Sequence, residues 1–438
     1  MQTSTIKFSQ IEDRIDAEYY KPEYLEILNT SKRAIKINEV ADVTNGAQPK
    51  IFNKGSIKFF SIKDLDNIFL NDTEARYISN EFFLKNPDGQ ITKNDILLAI
   101  TGATIGKVAI SDYEKAFISG DLARIRCNKV SAHYLVIFFL SRFGQNQIYK
   151  NIFGATNKHL SIKSIKSFYI EIPPQSFQQK IEKMVKEAQA KRELADEKYK
   201  EAEEILNKEL GLQNLDLSTQ KTFEAKFSEA EDRIDPEYYQ PKYKKIKGFL
   251  SNKKLTAKSL KSFVKKYNCG FAFPTEIYLA KGIPLLRIKN LKRLEIDFEG
   301  VEFLPDLNEY QEFVAKSGDI LISMSGTVGM ASLVPTNIPK AFVNQRITSI
   351  STEGVDKLYL CLYLNLPAIN SLITKKTTGG VQKNITYQDI ISVPIPILSQ
   401  SLQQKISSLI QGSFKLRQEA KQLIDRAKRE VEGMVEGK

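Results

Sequence analysis

A chain of 438 residues is long enough for two or three domains, each able to bury a core of its own. With 42% hydrophobic and 26% charged residues it has an ordinary globular composition, and its net charge of +12, from 64 Lys and Arg against 52 Asp and Glu, points towards a polyanionic partner. The start MQTSTIKFSQ lacks an apolar signal region and the longest apolar run, Tyr134 to Leu140, is too short to span a bilayer, so a cytoplasmic protein with no membrane partner is expected. Three scattered cysteines (Cys127, Cys269, Cys361) and two histidines (His133, His159) exclude a disulfide framework and offer no close-spaced zinc ligands, so no metal site is expected.

The stretch EDRIDAEYYKPEY at Glu12 to Tyr24 returns as EDRIDPEYYQPKY at Glu231 to Tyr243, with ten of thirteen residues unchanged. The matching then continues along the chain. SIKDL from Ser61 faces RIKNL from Arg287, NDILLAITGATIG from Asn94 faces GDILISMSGTVG from Gly318, and AFISGDLARI from Ala116 faces AFVNQRITSI from Ala341. FGATNKHLSIKSI from Phe153 faces TGGVQKNITYQDI from Thr378, and IPPQSFQQKI from Ile172 faces PILSQSLQQKI from Pro396. The offset stays between 219 and 226 residues, which is far too long for a solenoid and reads as two tandem copies of one domain.

Within each copy, short strand-like segments such as DILLAI and DILISM come first, punctuated by Gly, Asn and Asp. One apolar helix is expected next, HYLVIFFLSRFGQNQI in the first copy and KLYLCLYLNLPAINSLI in the second. Each copy closes on a long helix, Ser176 to Leu210 and Gln400 to Glu436, rich in Ala, Glu, Lys and Gln. Ile181, Ala188, Ala195 and Ala202 repeat every seven residues in the first; Ile406, Ser413, Ala420, Ala427 and Met434 do so in the second, with Leu409, Leu416 and Leu423 on the adjoining seam. A seven-residue repeat winds two helices round each other, and small residues let the backbones approach closely. The predicted fold class is therefore α+β: two pseudo-symmetric domains of mixed fold joined by two long antiparallel helices that form a coiled coil. Its boundaries fall at 1–172 for the first domain, 173–212 for the first long helix, 213–395 for the second domain and 396–438 for the second helix. The helices carry net charges of −1 and +3, which leaves +10 on the two domains.

No motif for chemistry stands out. TGATIGK at Thr101 to Lys107 has three residues between its glycines instead of four, Val108 stands where a metal-binding hydroxyl is needed, and the second copy, SGTVGM, lacks the lysine. A tight turn that lets backbone approach a ligand or a neighbouring strand is the better reading. No tetrapeptide for holding a flipped base, no cofactor fingerprint and no His-Glu-x-x-His occur, so no catalytic residue, no cofactor and no enzyme activity are expected of this chain.

Several repeated loops do suit a polyanion. Asn157, Lys158 and His159 answer Gln382, Lys383 and Asn384, with Thr156 and Thr378 beside them; Lys neutralises a phosphate and Asn or Gln can pair with an adenine edge. Nearer the front, NGAQPKIFNKG offers Asn45, Gln48, Lys50 and Lys54, and its divergent counterpart YNCGFAFPTE offers Tyr267. Ser61 and Lys63 against Arg287, Lys289 and Asn290 lie at a strand end, and the glycine turns add Thr104, Lys107 and Thr327. Polar loops of this kind are equally often mere solvated surface.

In order and in duplication, these motifs resemble the specificity subunit of a type I restriction-modification system across essentially the whole chain. The resemblance rests on the glycine turns, on the GATNKHLS and GGVQKNIT loops, and on Pro-rich turns leading to Gln-Gln-Lys-Ile. It implies two target-recognition domains that bind the halves of a split site on double-stranded DNA, with the long helices as spacer. It also implies two methyltransferase subunits, which would carry S-adenosylmethionine and modify adenine, and restriction subunits where cleavage occurs. A self-sufficient DNA-modifying enzyme and a coiled-coil scaffold protein are the competing readings.

Overall fold

The computed structural model describes residues 17–21, 24, 34–52, 54–73, 75–154, 158–213, 215–226, 228, 233–252, 255–336, 338, 340–377 and 383–437. Cα packing divides the chain into two units, Met1–Glu193 with Leu416–Lys438, and Leu194–Lys415. Most of the first opening motif, including Glu12 to Asp16, lies outside the described residues.

Unit 1 is built on two four-stranded sheets. The strands of these two sheets are β1 (Ala41–Asn45), β2 (Ile57–Phe60), β3 (Arg76–Ile78), β4 (Gln90–Ile91), β5 (Ile96–Ala99), β6 (Val108–Ile110), β7 (Ala116–Ile118) and β8 (Leu122–Cys127). The central sheet has the order β1-β8-β5-β6, all antiparallel, and the outer sheet has the order β3-β2-β7-β4, with β2 and β7 parallel. Every residue of β5 is buried because both of its faces are covered: Leu97 and Ala99 meet Phe60, Ile91 and Ile118 of the outer sheet, and Ile96 and Leu98 meet a helical layer. A strand covered twice reads as a continuous apolar run, as Ile-Leu-Leu-Ala does.

The helical layer comprises α1 (Ala132–Leu140), α2 (Arg142–Lys150), α3 (Ile162–Lys166) and the first part of α4 (Gln175–Leu210). The single apolar helix expected from the sequence is thus two. Ser141 turns extended (φ −67°, ψ 160°), and its hydroxyl caps α2 by accepting from Gly144 N.

Unit 2 repeats the plan. Its strands β9 (Val264–Cys269), β10 (Ile283–Leu286), β11 (Glu302–Leu304), β12 (Ile320–Ser323), β13 (Ala331–Leu333), β14 (Phe342–Val343) and β15 (Ile347–Thr352) form a central sheet β9-β15-β12-β13 and an outer sheet β11-β10-β14. Helix α5 (Pro241–Asn252) precedes the strands, and α6 (Lys357–Asn365), α7 (Pro367–Lys375), α8 (Tyr387–Ile391) and α9 (Gln400–Val435) follow. The expected single helix is again split, here because Leu366 precedes a proline and stays extended.

The repeated Gln-Gln-Lys-Ile has a structural use in both copies. The Gln178 amide accepts from Ser131 N at 2.8 Å and donates to Pro173 O at 3.0 Å, which ties the start of α4 to the start of α1. Gln403 does the same for α9, accepting from Asp356 N at 2.9 Å and donating to Leu398 O at 2.9 Å. Ile181 and Ile406, three residues later, are fully buried.

Within unit 1, Lys180 pairs with Glu430 and Lys191 with Glu419 (2.7 Å), so the two long helices run antiparallel there. Within unit 2, a Cβ on Gly412 of α9 would lie 3.2 Å from Lys198 of α4. The column is buried from Ile181 to Ala202 and from Ile406 to Ala427, with Ile181, Ala188, Ala195, Ala202, Ile406, Ser413 and Ala427 at 0% exposure and Ala420 at 3%, while Met434 at its end is half-buried. The second seam departs from expectation: Leu409, Leu416 and Leu423 are only half-buried, Leu409 and Leu423 packing at the margins of the two cores, while Ile410 and Val431 are fully buried in them. The helices join the domain cores as well as each other, so the inward stripe is wider than a strict coiled-coil seam.

Replacing Ala188 by Leu should overpack this column and cost about 1–3 kcal/mol, whereas Ala190→Leu, on the exposed face of the same turn, should stay within about 0.5 kcal/mol. Thermal melting of the two variants beside the parent checks the difference.

Candidate nucleic-acid interface

At one end of each central sheet, four chain segments converge. In unit 1, Asn45 at the end of β1 faces Ala123, and Ala99 at the end of β5 faces Leu122, so the chain leaving β1 and β5 meets the turn that enters β8. Backbone hydrogen bonds lock the segments together. Gly46 N donates to Leu122 O (3.2 Å), Ala47 N to Ile118 O (3.3 Å), Ser119 N to Phe60 O (2.8 Å), Ile100 N to Asp121 O (3.0 Å), Gly102 N to Lys158 O (3.1 Å) and Leu160 N to Ile100 O (2.9 Å).

Unit 2 makes the same six bonds at the corresponding positions. Gly270 N donates to Ile347 O (3.0 Å), Phe271 N to Val343 O (2.9 Å), Asn344 N to Leu286 O (3.0 Å), Met324 N to Arg346 O (2.8 Å), Gly326 N to Lys383 O (3.1 Å) and Ile385 N to Met324 O (3.0 Å). The glycine that opens the crossing is sterically required in both. A Cβ on Gly46 would lie 2.0 Å from Ile118 O, and one on Gly270 would lie 2.3 Å from Val343 O and Asn344 O.

The glycine turns join this crossing, and their glycines answer positive φ, 73° and 97° at Gly102 and Gly106 and 68° and 81° at Gly326 and Gly329. Gly102 N is spent on Lys158 O, and Gly106 N donates to Ala99 O at 3.2 Å; in unit 2 Gly326 N is spent on Lys383 O, and Gly329 N donates to Ser323 O at 2.9 Å. These amides hold neighbouring segments in place, unlike the inward-pointing amides of a phosphate loop.

Against this scaffold the predicted site residues separate into groups. In unit 1, Asn45, Gln48, Lys50, Lys107 and Lys158 are exposed on or beside the four segments, and Lys54 and Lys63 are exposed on the loops that flank β2. Thr104 and His159 are half-buried, the His159 ring packing edge-on against Phe153 with centroids 5.3 Å apart. In unit 2, Thr327, Lys383 and Asn384 are exposed on the matching segments, and Arg287 and Lys289 are exposed at the end of β10, where both approach Glu302 (3.5 and 3.3 Å). Thr156, Asn157, Thr378 and Gln382 lie outside the described residues.

Three residues take other roles. Asn290 is 1% exposed, its oxygen accepting from Arg287 N (3.0 Å) and its amide donating to Asp297 O (3.0 Å), so it braces a turn and is withdrawn from the surface. Ser61 is the unit 1 counterpart of Arg287 and is drawn inward, its hydroxyl donating to buried Asp64 at 2.8 Å. Tyr267 lies within β9, away from the strand end, and stacks on Tyr387 of α8 with centroids 3.7 Å apart and planes at 14°.

Two exposed residues on the same surface were missed by the sequence reading. Gln345 and Arg346 form the turn that enters β15, the counterpart of Gly120 and Asp121. The available signal was the polar Asn-Gln-Arg break between two strand-like runs, Ala-Phe-Val and Ile-Thr-Ser-Ile. In unit 1 the equivalent Asp121 accepts from Thr101 Oγ1 at 2.8 Å, so the same turn presents a cation in one unit and a paired carboxylate in the other.

The sequence matches the model of the type I restriction modification DNA specificity domain twice, over residues 30–204 and 252–426. The chain belongs to that family. As a type I specificity subunit it carries two DNA specificity domains, and each match contains one complete set of the four converging segments. Among relatives, it is 23% identical over 380 residues to the MjaVIII specificity subunit of Methanocaldococcus jannaschii, covering 81% of this chain and 83% of that one. The putative type I restriction enzyme MjaX specificity subunit of the same organism is 27% identical over 342 residues, 75% of this chain and 73% of that one. Among solved structures, the type I restriction-modification S subunit from M. genitalium aligns over 92% of this chain and 96% of that one at 15% identity, with a TM-score of 0.44.

Among the described residues of the specificity subunit, no group of three or more His, Cys, Asp or Glu is placed to hold a metal ion, and no helix is long and apolar enough to cross a membrane. His133 is a core residue: burial in α1 holds its imidazole below the usual range, opposed by Glu182. Burial likewise pushes the Cys127 thiol up to about 12, and Cys361 is fully buried.

Asn290→Ala should leave the Arg287 amide and the Asp297 carbonyl without their partner and cost about 1–3 kcal/mol. Lys289→Ala, one position earlier and exposed, should change stability by no more than about 0.5 kcal/mol. Melting curves for the two variants separate the bracing residue from its surface neighbour.

Proposed function

We propose that each unit of this specificity subunit reads one half of a split site on double-stranded DNA through the converging segments at the end of its central sheet. The observation that carries this reading is the contrast between identical scaffold and different surface. Six matching backbone hydrogen bonds hold the segments in both units, while the side chains presented on them differ, Asn45, Gln48, Lys107 and Asp121 against Thr327, Gln345, Arg346 and Asn384. Two copies of a rigid frame carrying different donors and acceptors are what recognition of two different half-sites requires, because base edges are distinguished by donor and acceptor pattern. Exposed lysines on both frames supply the sequence-independent attraction to phosphate.

The chain performs no chemistry of its own in this reading. Methyl transfer belongs to two methyltransferase subunits that carry S-adenosylmethionine, bind the specificity subunit mainly along α4 and α9, and modify adenine within the site. A restriction subunit joins the same complex where cleavage occurs. The protein acts in the cytoplasm, where the DNA and these partners are found.

A genome-wide map of methylated adenine, from cells with and without this chain, tests the whole reading. A two-part adenine motif should disappear when the chain is removed, and Arg346→Ala should alter only one half of that motif. An unchanged methylation map, or loss of a continuous motif, would overturn the proposal.

A further inference from the structure

The two units carry the same central sheet with different filling on the face beside the outer sheet. In unit 1, Arg124 and Arg126 project from β8. The Arg126 guanidinium forms a fork on Asp95, with Nε to Oδ1 at 2.8 Å and Nη2 to Oδ2 at 2.6 Å. Arg124, 6% exposed, donates from Nη1 to the Gln90 carbonyl at 2.8 Å and from Nη2 to Asp42 Oδ2 at 3.3 Å.

Strand register identifies their counterparts in unit 2. Arg124 faces Leu97 and Thr44, as Ser349 faces Leu321 and Asn268; Arg126 faces Asp42, as Ser351 faces Lys266. Both arginines are therefore serines in unit 2. The acid is retained, since Asp319 precedes Ile320 as Asp95 precedes Ile96, and the Asp319 backbone N–H donates to Lys316 O at 3.0 Å as that of Asp95 does to Thr92 O at 3.2 Å.

Where the arginines are missing, unit 2 has an open groove of about 420 Å³ bordered by Lys266, Asn268, Phe313, Lys316, Asp319 and Ser351. Asp319 is only 8% exposed at its wall, and the hydroxyl of Ser349 donates to its Oδ2 at 3.1 Å.

We propose that this groove is a binding site for a guanidinium group, the side chain of an arginine on a partner protein, forked onto Asp319 as Arg126 is forked onto Asp95. A carboxylate withdrawn from water gains most from a planar cation that donates two parallel hydrogen bonds, which guanidinium supplies and ammonium does not. Phe313 adds an aromatic wall on which such a plane can stack. An anion in the same place would face the Asp319 carboxylate. Lys265 also borders the groove but is paired with Glu353, and Lys266 and Lys316 are exposed at the rim. The occupant is protein-borne because the group that fills the corresponding space in unit 1 is itself a side chain on a backbone.

The test is calorimetric titration of the full chain with N-acetyl-arginine amide, with N-acetyl-lysine amide as a probe of equal charge. Saturable binding of the arginine probe is expected, at least about tenfold tighter than the lysine probe, and lost in Asp319→Asn. Ser351→Arg should refill the groove from within, abolish binding and raise the melting temperature by about 2–4 °C. Absence of saturable binding, equal affinity for both probes, or an unchanged titration in either variant would overturn the site. Tighter binding of free arginine than of the capped amide would overturn its assignment to a partner protein.

Discussion

Each central sheet is covered twice, by helices on one face and by a second sheet on the other, and this constraint organises everything else in the molecule. A strand such as Ile96–Ala99 or Ile320–Ser323, buried along its whole length, has no exposed face on which to carry recognition. Along these doubly covered strands, variable polar side chains can be displayed only where the strand ends. There, the glycines at 46 and 270 let one segment cross another at distances no side chain would permit, and the crossing amides are consumed by neighbouring backbone. The frame is rigid because its hydrogen bonds are backbone to backbone, and for the same reason it tolerates exchange of the side chains that it displays.

The long helices solve a different problem by similar means. Their inward column is mostly Ala and Ser, so the helices approach closely while the domain cores reach over them through Ile181, Val185, Ile406 and Ile410. Paired Gln178 and Gln403 fasten each helix start to the first apolar helix of the domain before it, which gives the repeated Gln-Gln-Lys-Ile a mechanical meaning. Ion pairs between the helices, such as Lys191 with Glu419, are partly solvated and set orientation more than stability.

Much of this was legible in the sequence because duplication acts as an internal control. Residues that recur at a constant offset, such as the glycine turns and the loops ending at His159 and Asn384, turned out to be the ones that cross and hold each other. The alanine column was also legible, since small residues spaced by seven along a helix mark the stripe where a second helix packs closely. Asn290 misled because a turn-bracing amide and a base-reading amide are the same chemical group, and only burial separates them. Gln345 and Arg346 were hidden inside a stretch whose flanks aligned as strand. The break at Ser141 carries no proline or glycine before it, so an apolar run gave no hint that the chain turns extended there. The Arg-to-Ser exchange at 124/349 and 126/351 became meaningful only once strand register placed those positions beside Asp95 and Asp319.

If the strand-end frames are the reading surface, DNA meets the strand ends of both central sheets. Photo-crosslinking of the full chain to a pool of duplex DNA, with the attached peptides read by mass spectrometry, tests it most directly. Crosslinks should concentrate on residues 45–54, 100–107, 119–121 and 158–159 in unit 1, and on residues 270–276, 325–329, 344–346 and 383–384 in unit 2. Crosslinks confined to one unit, or to the opposite strand ends near residues 127–131 and 352–356, would contradict the account.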